Sequence, residues 1–159
     1  MESFRLHFFM IILIGICSCS KYIEPEIFLL PMNYRGLILL IYDEDFGEDQ
    51  RFEGKFRVYD IPNDGILLTK FPPNEGHFNE KIQQFFYVDG QERIRIPYSN
   101  LGDKDHPDSV YIYHGAIGNI DLFPFYSYAC DFPSMEKAMN LEQAGILVRE
   151  KLKKVRNKN

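Results

Sequence analysis

The chain of 159 residues lacks several features that define common classes of protein. It has no tryptophan and only three cysteines, and its N-terminal run without a polar side chain, Phe8–Ile16, has nine residues. A helix that crosses a bilayer needs roughly 20 apolar residues, so this run is too short to be one. The net charge of −5 lacks the basic excess that nucleic acid requires, and we therefore expect no nucleic-acid binding.

Sequence patterns of the common catalytic centres are also missing. There is no HExxH zinc motif, no GxSxG elbow and no phosphate-binding loop, and the histidines His77, His106 and His114 do not have metal-ligand spacing. We therefore expect no cofactor and no enzymatic activity. The chain can form a packed core without the help of disulfides or metal ions, because 45% of its residues are apolar.

The N-terminus predicts a signal peptide and a lipid anchor. Phe8–Ile16 suits the apolar region of a secretory signal. The sequence that follows, Ile16-Cys17-Ser18-Cys19, resembles the lipobox of bacterial lipoproteins, which ends in an aliphatic, a variable and a small residue before a cysteine. The resemblance implies removal of residues 1–18, attachment of diacylglycerol to the sulfur of Cys19, and acylation, for example by palmitate, of the new amine. The protein would then face the periplasm or the cell exterior.

Other interpretations of this segment remain open. The signal could be cleaved without lipid attachment, or it could stay uncleaved as an anchor. A CxC metal pair is a third alternative, although zinc sites usually have wider spacing and a second pair of ligands.

The remaining sequence predicts one domain of mainly β structure. Residues 19–26 form a polar tether, residues 27–132 alternate short apolar runs with turn residues, and residues 133–159 form a helix with a basic tail. Short strands without intervening helices are typical of an antiparallel β-sandwich, of transthyretin-like or immunoglobulin-like general shape. Asp89-Gly90 predicts a tight hairpin. The stretch Arg51–Ile61 predicts one half-buried strand in which Phe52, Phe56 and Val58 face the core.

The C-terminal segment has the apolar spacing of a helix. Leu141, Ala144, Val148, Leu152 and Val155 recur at helical intervals, and Ser134 is the predicted N-cap. Five of the last ten residues are Lys or Arg, which suits the negative end of a helix dipole.

The central part of the chain resembles an uncharacterised domain of small bacterial lipoproteins, particularly those of Bacteroidota. The resemblance covers Phe28–Pro97 and implies a lipoprotein context without any known activity. Its pattern is an aliphatic-Pro-x-x-Tyr-x-Gly motif, a strand, a glycine turn and a second strand that ends in aliphatic-Pro. The matching residues are Leu30, Pro31, Tyr34, Gly36, Gly47, Ile61, Pro62, Gly65, Ile66, Leu67 and Tyr87-Val88-Asp89.

The acidic stretch around Gly47 contains a weak candidate for a metal site. Asp43, Asp45 and Asp49 have part of the spacing of a calcium loop, but position 12 of that loop would be Gly54 instead of a bidentate glutamate. We therefore predict a solvated hairpin tip with Gly47 at a positive φ.

Cys130 is the only candidate nucleophile outside the signal region. Paired with a histidine such as His114, it would make the chain a small envelope hydrolase, which is the alternative function. A buried thiol in a core strand is the simpler interpretation, since cysteine is often buried. The tyrosine-rich strands could also line a groove for a glycan or a protein partner, but they suit core positions better. We expect a non-enzymatic binding, structural or accessory module, attached to the membrane through Cys19.

Overall fold

A computed structural model of the chain describes residues 23–42, 44–74, 81–98, 110–120, 123–130 and 140–157. It contains nine strands and one helix within these residues. In chain order they are β1 Glu26–Pro31, β2 Leu37–Ile41, β3 Arg51–Glu53, β4 Phe56–Asp60, β5 Ile66–Leu68, β6 Gln83–Asp89, β7 Glu92–Ile96, β8 Tyr113–Ile120, β9 Phe123–Ala129 and α1 Leu141–Arg156. The predicted mainly β fold with a C-terminal helix is confirmed.

The strands form two sheets that pack face to face. One sheet has five strands in the order β3-β4-β1-β6-β7, and the other has four in the order β5-β2-β9-β8. Isolated bridges link the sheets at both edges: Glu48 pairs with Thr69 beside β5, and Tyr98 pairs with Ile112 just before β8. The main core lies between the sheets and contains Phe28, Leu30, Ile38, Leu40, Tyr42, Tyr59, Ile61, Leu67, Phe71, Phe85, Tyr87, Ile96, Ile112, Tyr126, Tyr128 and Cys130.

Both sheets are mixed, whereas the sequence predicted antiparallel ones. β1 is parallel to both of its neighbours, β4 and β6, and β2 is parallel to β5. A parallel pair needs a long crossover connection, and the sequence offers no helix between these strands. The crossovers are made instead by strands of the opposite sheet, because the chain passes from β1 to β2 and from β4 to β5 before it returns.

The stretch Arg51–Ile61 was predicted wrongly in two respects. It forms a hairpin, β3 and β4, because Gly54 takes a positive φ of 59° and turns the chain. The predicted facing of its residues is only partly confirmed: Val58 is buried with 4% exposure, but it packs with Ile27 and Leu29 on the outer face of the sheet. Arg57 and Tyr59 are buried with 6% and 1% exposure, whereas Phe52 is 48% exposed.

The helix α1 covers the outer face of the four-stranded sheet. Its residues Ala144, Val148 and Leu152 pack against Leu39, Ile41, Ile66, Leu68 and Phe125. Its N-cap is Asn140, whose side chain accepts a hydrogen bond from the amide of Gln143 at 3.0 Å. The predicted cap Ser134 lies outside the described residues. Among the described helical residues, none forms a segment that is long and apolar enough to cross a membrane.

The hairpin predicted at Asp89-Gly90 is confirmed. β6 and β7 pair antiparallel from Phe85 opposite Ile96 to Asp89 opposite Glu92. Gly90 has a φ of +59°, which a two-residue hairpin turn requires of its first residue. Gly47, by contrast, does not have the positive φ that we predicted. A Cβ there would lie 2.7 Å from the amide nitrogen of Thr69, so the glycine is needed for close approach to the end of β5.

Candidate functional site

A buried carboxylate lies between the two sheets, at the end of the domain where β1 begins. Glu26 was predicted to end the polar tether, but it is the first residue of β1 and is 1% exposed. It points between the sheets because it shares its parity along the strand with the core residues Phe28 and Leu30. No local sequence signal singles it out, because both parities of β1 are apolar and buried and its hydrogen-bond partners come from distant segments.

Hydrogen bonds from two distant chain segments satisfy this carboxylate. The Tyr59 hydroxyl donates to Glu26 Oε1 at 3.0 Å, and the Gln83 amide donates to Oε2 at 2.7 Å. The same Gln83 nitrogen donates to the Tyr128 hydroxyl at 2.9 Å, while the Tyr98 hydroxyl donates to Gln83 Oε1 at 2.9 Å. The two sheets are therefore joined through a polar network inside an otherwise aromatic core.

Burial dominates the electrostatics of this network. It raises the pKa of Glu26 above its usual value of 4.5, although hydrogen bonds from Gln83, Asn74 and Tyr59 act in the opposite direction. Burial, together with the negative charge of Glu26, also raises the pKa of the Tyr59 and Tyr128 hydroxyls well above 10.0. The tyrosines consequently stay protonated and act as hydrogen-bond donors.

A pocket of about 620 Å³ opens beside this network. It is lined by Lys81, Gln83, Gln84, Arg95, Ile96, Pro97 and Tyr98, which come from the start of β6 and the end of β7. Gln83 and Tyr98 belong to both the pocket and the network, so a hydrogen-bonded path runs from the pocket to Glu26. Amide, cationic and aromatic groups together suit a ligand that is rich in hydrogen-bonding groups.

The segment before β1 is fixed to the domain at the same end. The Glu24 backbone and the Asn74 side chain exchange two hydrogen bonds, of 3.2 and 2.7 Å. The Glu24 carboxylate accepts from Arg57 Nε at 2.6 Å, and Arg57 also donates to the Pro72 carbonyl at 2.6 Å. We call the region around Glu24, Pro25, Asn74 and Gln83 the proximal end of the domain.

Of the two candidate hydrolase residues, His114 lies on β8 and Cys130 directly follows β9. Cys130 is completely buried; its thiol donates to the Tyr34 carbonyl at 3.3 Å and lies 3.5 Å from the Tyr87 hydroxyl. His114 is opposite Tyr128 in the strand register, and its ring packs on Tyr98 and Tyr128. Burial lowers the pKa of His114, which favours the neutral imidazole. His77 and His106 lie outside the described residues.

The other predicted site residues are only partly described. Cys19 and Asp43 lie outside the described residues, while Asp45 is exposed and Asp49 is 2.7 Å from Lys70 Nζ. That contact lowers the pKa of Asp49. Within the described ranges, no group of three or more His, Cys, Asp or Glu side chains could hold a metal ion.

The tyrosines of β8 and β9 occupy core positions, as the simpler interpretation predicted. Tyr113, Tyr126 and Tyr128 are each at most 4% exposed. Their aromatic faces therefore pack inside the domain instead of lining an open groove.

Several residues of the sequence resemblance meet at the end opposite Glu26. The Tyr34 hydroxyl donates to the Leu37 carbonyl and occupies the space beside Gly65, and the Tyr34 carbonyl accepts from Tyr87 Oη at 2.6 Å. These motif residues close the turn between β1 and β2, so their role in the described structure is architectural.

The fold thus defines a mainly β domain of two facing mixed sheets with a C-terminal helix. A family model matches residues 23–121, and the chain belongs to this family of unknown function, DUF6843. The family membership confirms the resemblance to an uncharacterised domain; the narrower assignment to Bacteroidota stays a prediction.

A solved structure shares the fold. It is the 2.75 Å crystal structure described as "Putative Lipoprotein from Bacillus anthracis", which aligns with a TM-score of 0.60 and 16% sequence identity over 84% of this chain and 95% of that chain. At this identity the similarity establishes the fold alone. No curated protein sequence gives a significant match.

Proposed function

We propose that this chain is a lipid-anchored protein of the bacterial envelope, attached through Cys19 and facing the periplasm or the cell exterior. We further propose that its β domain is a non-enzymatic binding, structural or accessory module. The support comes from the lipobox-like sequence Ile16–Cys19, from the short apolar run before it, and from the contacts of Glu24, five residues after Cys19, with the domain.

The observation that carries the anchoring proposal is the clamp on Glu24. Asn74 and Arg57 hold this residue, which is five residues after Cys19. An extended chain rises at most about 3.5 Å per residue, so the sulfur of Cys19 would lie within roughly 17 Å of the clamp. Two or three acyl chains would hold the domain on the membrane, since each buried methylene contributes about 0.8 kcal/mol.

The binding role is supported by the location of the polar groups. Glu26 and Cys130 lie inside the domain, where their hydrogen bonds join the sheets and the β1–β2 turn. The pocket beside Gln83 and Tyr98 instead offers amide, cationic and aromatic groups on an open surface. Such a lining suits a glycan or a polar segment of a protein partner.

Mass spectrometry of the N-terminal peptide tests the anchoring proposal. We expect a mature protein that begins at an acylated Cys19 and partitions into detergent. Cys19→Ala should abolish acylation, whereas the matched variant Cys17→Ala should leave it intact. An unmodified N-terminus, or acylation at Cys17, would refute the proposal.

A further inference from the structure

The pocket between the start of β6 and the end of β7 has a wall of side chains that are already held in place. The Gln83 amide donates to the Glu26 carboxylate at 2.7 Å, and the Tyr98 hydroxyl donates to Gln83 Oε1 at 2.9 Å. The Tyr98 ring stacks on His114, with centroids 5.3 Å apart, and meets the Phe85 ring edge-to-face at 5.5 Å. Because this wall is preorganised, a ligand that binds against it has to order few side chains.

Two exposed cations line the same pocket. Lys81 precedes β6, and Arg95 lies near the end of β7. The half-buried amide of Gln84 is on the same face of the sheet as Arg95. A guanidinium has five N–H donors and an ammonium three, so each cation can donate to a ligand as well as to a neighbour in the protein. Such donors bind the oxygens of carboxylates and phosphates.

The acidic groups at this end of the domain do not lie in the pocket. Among the described residues that line it, none is acidic. Glu26 lies behind the wall with 1% exposure, and burial raises its pKa, which favours the neutral acid. The Glu24 carboxylate is 2.6 Å from the guanidinium of Arg57.

The acidic groups along β7 are also kept away from Arg95. Glu92 begins the strand at its far end and lies on the opposite face, because side chains alternate along a strand. Arg93 shares the face of Arg95 and donates to both carboxylate oxygens of Glu53 at 2.7 Å each. The described lining therefore presents two positive charges, although the whole chain has a net charge of −5.

The lining offers little apolar surface to a ligand. Ile96 is only 3% exposed, and Pro97 is the only exposed apolar side chain among the described lining residues. A protein segment binds chiefly through apolar and aromatic anchors, whereas sugar hydroxyls pair with amides and charged groups. The volume of about 620 Å³ also lies in the range of small-molecule sites, roughly 300–1,000 Å³. These properties favour a saccharide over a peptide.

We propose that this pocket binds a negatively charged saccharide. Arg95 and Lys81 hold its anionic group, which is the carboxylate of a uronate or the phosphate of a sugar phosphate, and Gln84 pairs with ring hydroxyls. This inference deepens the proposed binding role and rests on it.

Ligand-observed NMR of the full chain, purified from the membrane in detergent, tests the site. The probes are methyl glucuronide for the carboxylate, glucose 6-phosphate for the phosphate, and the neutral methyl glucoside. Saturation transfer from the protein to each probe is titrated. We expect a millimolar Kd for one anionic probe, which identifies the anionic group, because a monosaccharide has few atoms to contact. The neutral probe should bind about tenfold more weakly or not at all, since it lacks the charged acceptor.

Matched variants separate the pocket from the general charge of the protein. Arg95→Gln and Lys81→Gln should each weaken binding of the anionic probe about tenfold. The controls Arg51→Gln, on β3, and Lys70→Gln, beyond β5, remove the same charges from exposed ion pairs outside the pocket. They should change the Kd by less than about twofold, because salt screens distant charges. Circular dichroism checks that all four variants are folded.

The possible failures give different results in these samples. Equal binding of the neutral and anionic probes would overturn the anion site and leave the binding role standing. Binding of a hexaglutamate peptide that Arg95→Gln abolishes, without binding of either anionic saccharide, would overturn the saccharide in favour of an acidic protein segment. No binding of any probe would overturn this inference and leave a structural or accessory role.

Two further readouts report on the proposed function itself. Release of methanol or of inorganic phosphate from a probe would show hydrolysis, and it would refute the non-enzymatic role together with this inference. Mass spectrometry of the N-terminal peptide from the same sample reports on the anchor independently of the pocket.

Discussion

Arg93 and Glu53 join the two edge strands of the five-stranded sheet. The guanidinium of Arg93, on β7, donates to both carboxylate oxygens of Glu53, on β3, at 2.7 Å each. Strands β4, β1 and β6 lie between them in the sheet order. The pair can form only because the sheet is strongly twisted, which brings diagonal corners together over its outer face.

The ion pair lies beside a small apolar cluster on that outer face. Arg93 is opposite Val88 and Glu53 is opposite Phe56 in the strand registers, and both apolar residues pack against a cluster of Ile27, Leu29 and Val58. The bidentate contact lowers the pKa of Glu53. It therefore stabilises the curvature of the sheet above this cluster.

A double-mutant cycle of Arg93→Gln and Glu53→Gln should give a coupling energy of about 0.5–1 kcal/mol in urea unfolding. The value is modest because both side chains are partly exposed, and it should decrease as salt is added. The exposed pair Arg51–Asp60, which joins neighbouring strands, is the matched control for salt dependence. A coupling energy of zero at low salt would show that this ion pair does not help to hold the two edge strands together.

Glu26→Ala should destabilise the domain by about 2–4 kcal/mol, because it leaves the Tyr59 hydroxyl and the Gln83 amide buried without their acceptor. Chemical unfolding at neutral pH measures the loss. A loss of unfolding free energy below about 0.5 kcal/mol is typical of a surface substitution, and it would show that the network contributes little to stability.

The raised pKa of Glu26 predicts a pH dependence of defined sign. Between the unfolded value near 4.5 and the raised folded value, the native state binds a proton that the unfolded state does not. The stability that this bound proton contributes is therefore fully present below pH 4.5 and is lost as the pH rises through the folded pKa. The difference in unfolding free energy between the wild type and Glu26→Gln should decrease across this range. An increase would contradict the raised pKa.

Gly65→Ala should be far more damaging than Gly90→Ala. Both glycines have a positive φ, and alanine in this conformation costs about 1–2 kcal/mol. A Cβ at Gly65 would also overlap the Tyr34 hydroxyl and the Leu37 carbonyl, whereas at Gly90 no atom lies within 4 Å. Urea unfolding should show a loss of about 1 kcal/mol for Gly90→Ala and at least twice that for Gly65→Ala. Equal losses would mean that the Tyr34 hydroxyl and the Leu37 carbonyl move away from the added Cβ at no cost in stability.

Calcium should leave the melting temperature of the protein unchanged beyond the effect of ionic strength. Asp49 is paired with Lys70, and the sequence lacks the closing glutamate of a calcium loop. A magnesium titration at equal ionic strength serves as the control. A saturable rise of several degrees at micromolar calcium would reveal a site that includes Asp43 or Asp45, because a ligand of the native state raises its stability.

Cys130 should react with a thiol reagent only when the domain opens. Its sulfur is completely buried and hydrogen-bonded to the Tyr34 carbonyl, whereas a catalytic thiol has to be accessible. We expect slow labelling of the native protein and rapid labelling in denaturant, as measured by absorbance of the released chromophore. Rapid labelling in the native state, together with loss of a hydrolytic activity, would favour the alternative hydrolase.

The sequence by itself determined the class of fold and several local features. The apolar run of β2, the turn at Asp89-Gly90 and the helical spacing of Ala144, Val148 and Leu152 all predicted elements that the structure contains. These features depend on hydrogen bonds and backbone preferences between residues close together in the chain, so the local sequence is sufficient to specify them.

Only the tertiary structure decided which strands pair in parallel and which polar residues are buried. Glu26 and Arg57 look like solvent-exposed residues in the sequence, because their partners come from distant segments: Gln83 is 57 residues from Glu26, and Glu24 is 33 residues from Arg57. A charged side chain can be buried only where such partners replace its water, and the register of β1 with β4 and β6 supplies them. This long-range pairing cannot be derived from a local pattern of apolar and polar residues.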